Sequence, residues 1–268
     1  MKPPAIMSPS GSPKDPARRL AENLAFLGLT RIAETYREVF AQAAKENMSH
    51  LQLLDAVIAE EAAGRYERGV LRRIRRARFP VAKTLDTFVW EHPTKVDRNR
   101  ALSLFDFDFV QKRRNALFIG ATGLGKTHLA IALGMAACQK GCSVLFTTAM
   151  EMVNQLQAAA TDTTLVKKLR YYARPQILVL DELGYLPIDK QGADFIFQVV
   201  SQRYERGSIV LTTNRPPKEW AKVFNDATVA SAVLDRLAHH SDIVVLEGNS
   251  YRTQREKPSE TQRETASE

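Results

Sequence analysis

The sequence predicts an α/β protein: a five-stranded parallel sheet with helices on both faces, preceded by a small all-helical domain. Three observations predict it. Short apolar runs at Leu117–Ile119, Cys142–Thr147, Ile177–Leu180, Ser208–Thr213 and Ile243–Leu246 alternate with segments of helical period. A glycine-rich turn sits between the first run and a helix-forming stretch. Before Pro80 the apolar spacing is helical throughout.

Met1 to Pro16 is rich in Pro, Ser and Gly and reads as a flexible leader, residues 1–16. Leu20, Leu24, Leu27, Ile32, Tyr36 and Phe40 suggest two short helices divided near Gly28. Ser49 reads as the N-cap of a further helix carrying Leu51, Leu54, Val57 and Ile58. Between Arg65 and Lys83 stand eight basic residues, Arg65, Arg68, Arg72, Arg73, Arg75, Arg76, Arg78 and Lys83, against one acid, Glu67. The chain's formal charge is +8, so nearly all of it gathers in this one stretch. A helix there presents a guanidinium stripe suited to phosphate oxygens, through the backbone of a nucleic acid and not its base edges. A solvated helix face, or a surface for a partner protein or anionic membrane, is the alternative. This basic domain, 17–80, is followed by a linker, 81–96. Within the linker, Phe88 or Trp90 lies either near the base of a nucleotide or in the core as a packing anchor.

The core domain spans 97–252. Its FDFDF segment, Phe105 to Phe109, fits strand or helix equally. Asn115 to Ala130 reads NALFIGATGLGKTHLA. Gly120, Gly125, Lys126 and Thr127 satisfy G-x-x-x-x-G-K-[ST] between a strand and a helix, the context that this phosphate loop requires. The loop Gly120, Ala121, Thr122, Gly123, Leu124, Gly125, Lys126, Thr127, His128 is therefore expected to cradle the phosphates of ATP, Lys126 supplying charge and Thr127 a hydroxyl for Mg2+.

The strand Ile177–Leu180 ends in Asp181 and Glu182. A carboxylate at the carboxyl end of a buried parallel strand faces the ligand crevice. Asp181 is the expected Mg2+ partner and Glu182 the group that orients the attacking water, an arrangement that favours an ATP hydrolase over a GTP switch or a small-molecule kinase. No N-K-x-D guanine-reading segment is present. Asn214, ending the strand SIVLTT, either touches the γ-phosphate and its water or caps the turn before Pro216. The polar tail, 253–268, reads as disordered.

Composition sets the outer limits. The chain has 268 residues, 44% apolar and 25% charged, ordinary for a soluble protein. No uncharged run approaches the ~18 residues of a membrane span, and no apolar signal core opens the chain. Cys138 and Cys142 have no second pair, which argues against a disulfide framework or structural zinc and for a reducing, cytoplasmic setting.

From about Leu27 to Arg252 the chain resembles the IstB-like ATP-binding proteins, AAA+ helpers of IS21-type transposition related to the helicase loader DnaC and the initiator DnaA. The resemblance rests on RRIRRARFP (Arg72–Pro80), FIGATGLGKTHLAIALG (Phe118–Gly134), LVLDELGYLP (Leu178–Pro187), RYERGSIVLTTNRP (Arg203–Pro216), and LDRLAHH and VVLEGNSYR between Leu234 and Arg252. The family's usual loop has a proline after its first two residues, where this chain has Ala121 and Thr122 following Gly120. The resemblance implies an AAA+ core with a reduced or absent C-terminal lid. By position it implies Walker A at Gly120, Gly125, Lys126 and Thr127, Walker B at Asp181 and Glu182, and a first sensor at Asn214. Arg236 then matches the arginine given to a neighbouring subunit, and Arg252 the second sensor, with Arg203 and Arg206 as competing intersubunit arginines. It further implies an ATP-dependent oligomer on duplex DNA that recruits or stimulates a transposase. The rival expectations are a helicase-loader-like ATPase on single-stranded DNA with a replicative helicase, and a nucleotide-responsive scaffold with little turnover.

Overall fold

A computed structural model of the chain describes residues 15–93 and 95–250. Most of the expected leader, the tail and Arg252 lie outside the described residues. The chain divides into two compact units at Leu71/Arg72, a division that falls within one helix.

In the first unit, α1 (Pro16–Leu27) starts at an Asp15 side chain that accepts from Ala17 N at 2.9 Å. It ends at Gly28, whose φ of 66° suits a left-handed cap. The second helix, α2 (Thr30–Glu46), has no capping side chain at its own Leu29. Glu61 supplies the cap from α3 (His50–Ala77), accepting from Arg31 N at 2.9 Å and Ile32 N at 3.2 Å. Ser49 and Gln52 close the start of α3 reciprocally, Gln52 N donating to Ser49 Oγ and Ser49 N to Gln52 Oε1. Leu24, Ile32 and Ala43 are buried here, while Phe26, Leu27, Leu51, Leu54 and Ile58 stay exposed.

α3 ends at Ala77, before Pro80, because the residue preceding a proline is pushed out of the helical region. Arg78 absorbs the turn at φ 61°.

The second unit is built on a six-stranded sheet in the order β1-β6-β2-β5-β4-β3. The five expected strands are all there and parallel to one another: β2 (Asn115–Gly120), β3 (Val144–Thr148), β4 (Ile177–Leu183), β5 (Ser208–Thr213) and β6 (Ser241–Glu247). The sixth, β1 (Lys95–Val96), pairs antiparallel with the edge of β6. Two residues carry no alternation to read, so only the free edge of β6 reveals it.

Leu117, Leu178, Leu180, Ile209 and Leu211 enter one core with α7 (Ala149–Thr161), α8 (Leu165–Ala173), α9 (Lys190–Arg203), α10 (Trp220–Phe224) and α11 (Ala227–Ala238). The intervening Ala116, Phe118, Ile177, Val179 and Val210 enter the other, under α6 (Lys126–Gln139). Burial on both faces is why these strands read as unbroken apolar runs. The FDFDF segment forms no strand. It follows α4 (Arg98–Ser103) and lies across a 3-10 turn (Leu104–Asp106) and the start of α5 (Asp108–Gln111), with Phe107 and Phe109 buried. No helix among the described residues is long and apolar enough to cross a membrane.

Candidate nucleotide site

β2 delivers the chain to the glycine turn at the carboxyl edge of the sheet. A Cβ on Gly120 would lie 2.2 Å from the Leu246 carbonyl oxygen of β6, so a side chain there would force β2 and β6 apart. Gly125 takes φ 86°, and α6 starts at the next residue, its unpaired N–H groups and positive end adjoining the turn. Lys126 is largely buried, and its ammonium donates to the Ala121 carbonyl at 2.7 Å.

Thr127 Oγ1 donates to Asp181 Oδ1 at 2.9 Å. Asp181 is only 3% exposed, and Thr212 Oγ1 donates to the same oxygen at 2.5 Å. Thr212 also accepts from Glu182 N at 3.0 Å. Here the register of β4 against β5 shifts between Leu180 and Leu183. Inside that irregularity Glu182 takes φ 60°, a backbone state that a non-glycine residue keeps only when its surroundings enforce it. Asp181 thus remains buried while Glu182 borders the cleft.

Beyond β5, Thr213 Oγ1 donates to Leu183 O at 2.6 Å and accepts from Arg215 N at 3.1 Å, pinning the turn that carries Asn214. Asn214 Oδ1 is buried with no hydrogen-bond partner among the described residues. Such an orphaned acceptor costs about 1–3 kcal/mol, a cost that a ligand or a held water donating to it removes.

Lys126, Thr127, Glu182, Tyr185, Thr212 and Asn214 line one cleft of about 410 Å3, with Asp181 buried behind Thr127 and Thr212. A second cavity of about 240 Å3, lined by Phe88, His92 and Leu124 among others, shares Lys83, Gly123, Gly125 and His128 with it. Of the two linker aromatics, Phe88 lines this cavity and braces the loop: a Cβ on Gly125 would come within 2.6 Å of its ring. Trp90 lines neither space; it packs edge-on to Phe88 at 4.8 Å with the Arg98 guanidinium 5.0 Å above it. His128 Nε2 lies 2.9 Å from the Thr84 carbonyl, which only accepts, so the ring proton sits on Nε2. Burial lowers the His128 pKa, the Thr84 carbonyl opposes it, and the Lys83 charge lowers it further.

The arginines separate. Arg236 lies at the other end of the sheet, its guanidinium 4.7 Å over the Phe197 ring and donating to Ala232 O, and it borders a small cavity with Asn115 and His240. The structure does not bring it to the chain's own phosphate loop. Arg203 cannot serve as an intersubunit arginine. It is 1% exposed, and its guanidinium donates to the carbonyls of Tyr172, Ala173, Pro175, Gln176 and Ser208, with burial lowering its pKa to about 10. Arg206 is exposed.

The basic stretch is equally divided. Arg65 and Arg68 both pair with the buried Glu61 carboxylate, at 3.2 and 2.9 Å. Arg73 donates to Cys138 O at 2.7 Å, and Arg78 lies over the Tyr171 ring. Arg72, Arg75 and Arg76 are exposed, and no ion pair engages them among the described residues. Lys83 borders both cavities. Sequence reasoning missed Thr212: a threonine inside a buried strand gives no signal until the neighbouring strand sets Asp181 and Glu182 beside it.

Among the described residues, no three or more His, Cys, Asp or Glu side chains gather to hold a metal. The Thr127 hydroxyl and Asp181 carboxylate are instead the hard-oxygen pair suited to Mg2+ shared with substrate phosphates.

Comparison with known proteins agrees with this geometry. The chain is 38% identical over 90% of its length, and 96% of the relative's, to an IS5376 insertion-sequence ATP-binding protein of Geobacillus stearothermophilus. It is 35% identical over 85% of its length, and 86% of the relative's, to the IS21 ATP-binding protein of Pseudomonas aeruginosa. Among solved structures, DnaI matches at TM-score 0.53 and 20% identity, over 61% of this chain and 90% of that one. The initiator DnaA bound to AMPPCP and single-stranded DNA matches at TM-score 0.51 and 22% identity, over 62% and 50%. Both likenesses are of fold, the AAA+ P-loop core. The profile of the family described as IstB-like ATP binding protein matches residues 22–259, and the chain belongs to that family.

Proposed function

We propose that the chain is a Mg2+-dependent ATP hydrolase that assembles on duplex DNA in its ATP state and presents that DNA to a transposase. The observation that carries the hydrolase reading is the convergence at one cleft of Thr127, which bonds to the buried Asp181 carboxylate, the outward-turned Glu182 and the orphaned Asn214 oxygen. Lys126 and the start of α6 neutralise the β and γ phosphates, while Thr127 and Asp181 hold Mg2+. The ion, when bound, supplies charge neutralisation on the phosphoryl oxygens. Glu182 accepts a hydrogen bond from the attacking water, and the Asn214 oxygen gives that water a second acceptor. Arg236, remote from its own loop, is presented to the nucleotide of a neighbouring subunit, so that turnover depends on assembly. Arg72, Arg75 and Arg76 contact the DNA backbone.

The transposition reading is supported by relatives that match along most of their length and are named for insertion sequences. The likeness to DnaI and DnaA extends to fold alone, so a helicase-loading role has weaker support. The test is phosphate release as a function of protein concentration, with and without long duplex DNA. The wild-type rate should rise faster than linearly and be stimulated by DNA. Glu182→Gln should lose about 100-fold in rate while still binding ATP, and Arg236→Ala should lose the concentration dependence. A linear rate, indifferent to DNA and to Arg236, would refute assembly.

A further inference from the structure

We propose that Lys83 is a second phosphate-neutralising cation of the nucleotide site, reaching it from the linker, and not a member of the DNA-facing row of arginines. The inference rests on the ATP-site reading and extends it to a residue outside the phosphate-loop pattern.

Its position is the first argument. Lys83 borders both the base-sized cavity and the phosphate cleft, as do Gly123, Gly125 and His128 of the loop itself. A group shared by the two spaces stands where a nucleotide passes from base and sugar to its phosphates. The second argument is how firmly the backbone is held there. Lys83 N donates to Met135 Sδ at 3.3 Å, and the carbonyl of the next residue, Thr84, accepts from His128 Nε2 at 2.9 Å. Met135 and His128 both belong to α6, so the helix that begins at Lys126 also fixes Lys83. The third is charge. Lys83 is half-buried, and among the described residues no carboxylate pairs with it. An ammonium partly withdrawn from water and left unpaired gains most from an anionic ligand. Its charge already registers at His128, lowering that imidazole's pKa beyond what burial does.

The experiment measures dissociation constants for ATP and ADP, competition by adenosine against a fluorescent ADP, and nucleotide-free binding to duplex DNA. It compares wild type, Lys83→Ala, Lys83→Arg and Lys126→Ala. In Lys83→Ala, ATP and ADP should bind about 10-fold more weakly, the scale of one lost charge-assisted contact. Adenosine competition and DNA affinity should change less than about 2-fold, and Lys83→Arg should recover most of the loss, because only the cation is at issue. An equal loss for adenosine would make Lys83 a structural support of the base cavity and overturn the proposal. Unchanged nucleotide affinity with weakened DNA binding would return Lys83 to the arginine row. If Lys126→Ala weakens ATP and Lys83→Ala does not, only the Lys83 assignment fails. If neither weakens it, the ATP-site reading itself fails.

Discussion

Asp181 in the phosphate cleft and Glu61 in the helical unit are buried to the same degree, 3% and 4% exposed, yet they are satisfied in opposite ways. Asp181 accepts from two hydroxyls, Thr127 and Thr212. Both donors are neutral hydroxyls, and no guanidinium caps this carboxylate among the described residues. Glu61 accepts from two backbone N–H groups and from the guanidiniums of Arg65 and Arg68. Its charge is matched within the fold, and it ties α2 to α3. The donors around a buried carboxylate, and not its burial, distinguish the proposed Mg2+ ligand from a structural knot.

Arg203 extends the comparison to a buried cation with only neutral partners, but one closed off by five carbonyls. Arg203→Met should therefore produce the largest stability loss, about 3–5 kcal/mol by thermal or urea unfolding, because it strands those acceptors. Arg206→Met, at an exposed position, should stay within about 0.5 kcal/mol.

Asp181→Asn sharpens the contrast most directly. Mg2+-dependent phosphate release should fall about 100-fold, while unfolding without Mg2+ should shift by less than about 1 kcal/mol, because the hydroxyls keep an acceptor. A large loss of stability in this variant would break the distinction from Glu61. Thr212→Val is the milder form: turnover falls about 10-fold with ATP affinity little changed, since one hydroxyl serves both Asp181 and the Glu182 amide.

Glu61→Gln should do the reverse, lowering stability by about 1–3 kcal/mol and leaving DNA-free ATP turnover within about 2-fold. Its pH signature has a definite sign. Burial raises the Glu61 carboxyl, but the bonds from Ile32 N, Arg65, Arg31 N and Arg68 outweigh it and leave the pKa below the ordinary value. The folded chain therefore binds that proton less readily than the unfolded one. The contribution is complete above the unfolded value of about 4.3 and vanishes as pH falls through the lower folded value. Urea unfolding between pH 6 and pH 3 should show this decline in wild type and a flatter profile in Glu61→Gln.

The smallest effect concerns the free arginines. Replacing Arg72, Arg75 and Arg76 by Ala should reduce the salt slope of duplex binding by about 3, near 0.9 per lost phosphate contact. Arg65→Ala with Arg68→Ala should change the slope less, because those guanidiniums already face Glu61.

The sheet's five parallel strands were legible because burial on both faces makes each a continuous apolar run, and the phosphate loop because its residues are contiguous in the chain. The edge strand Lys95–Val96 was not legible, since it exists through the partner edge of β6. Arg203 was misjudged for a related reason. An arginine near a helix end looks the same in sequence whether it meets solvent or five carbonyls.

By itself the sequence determined the chemistry that neighbours along the chain can express: the glycine turn with Lys126 and Thr127, the Asp181–Glu182 pair at a strand end, the helix break near Gly28 and the Ser49 cap. The tertiary structure decided what depends on groups distant in the chain. Thr212 reaches Asp181 across 31 residues, Glu61 reaches the start of α2 across 30, and Thr84 beside Lys83 is held by His128 across 44. Hydrogen bonds and ion pairs act over a few ångströms of space, so which of several similar arginines or threonines is occupied, and which is left for a ligand, follows from the fold that brings those partners together.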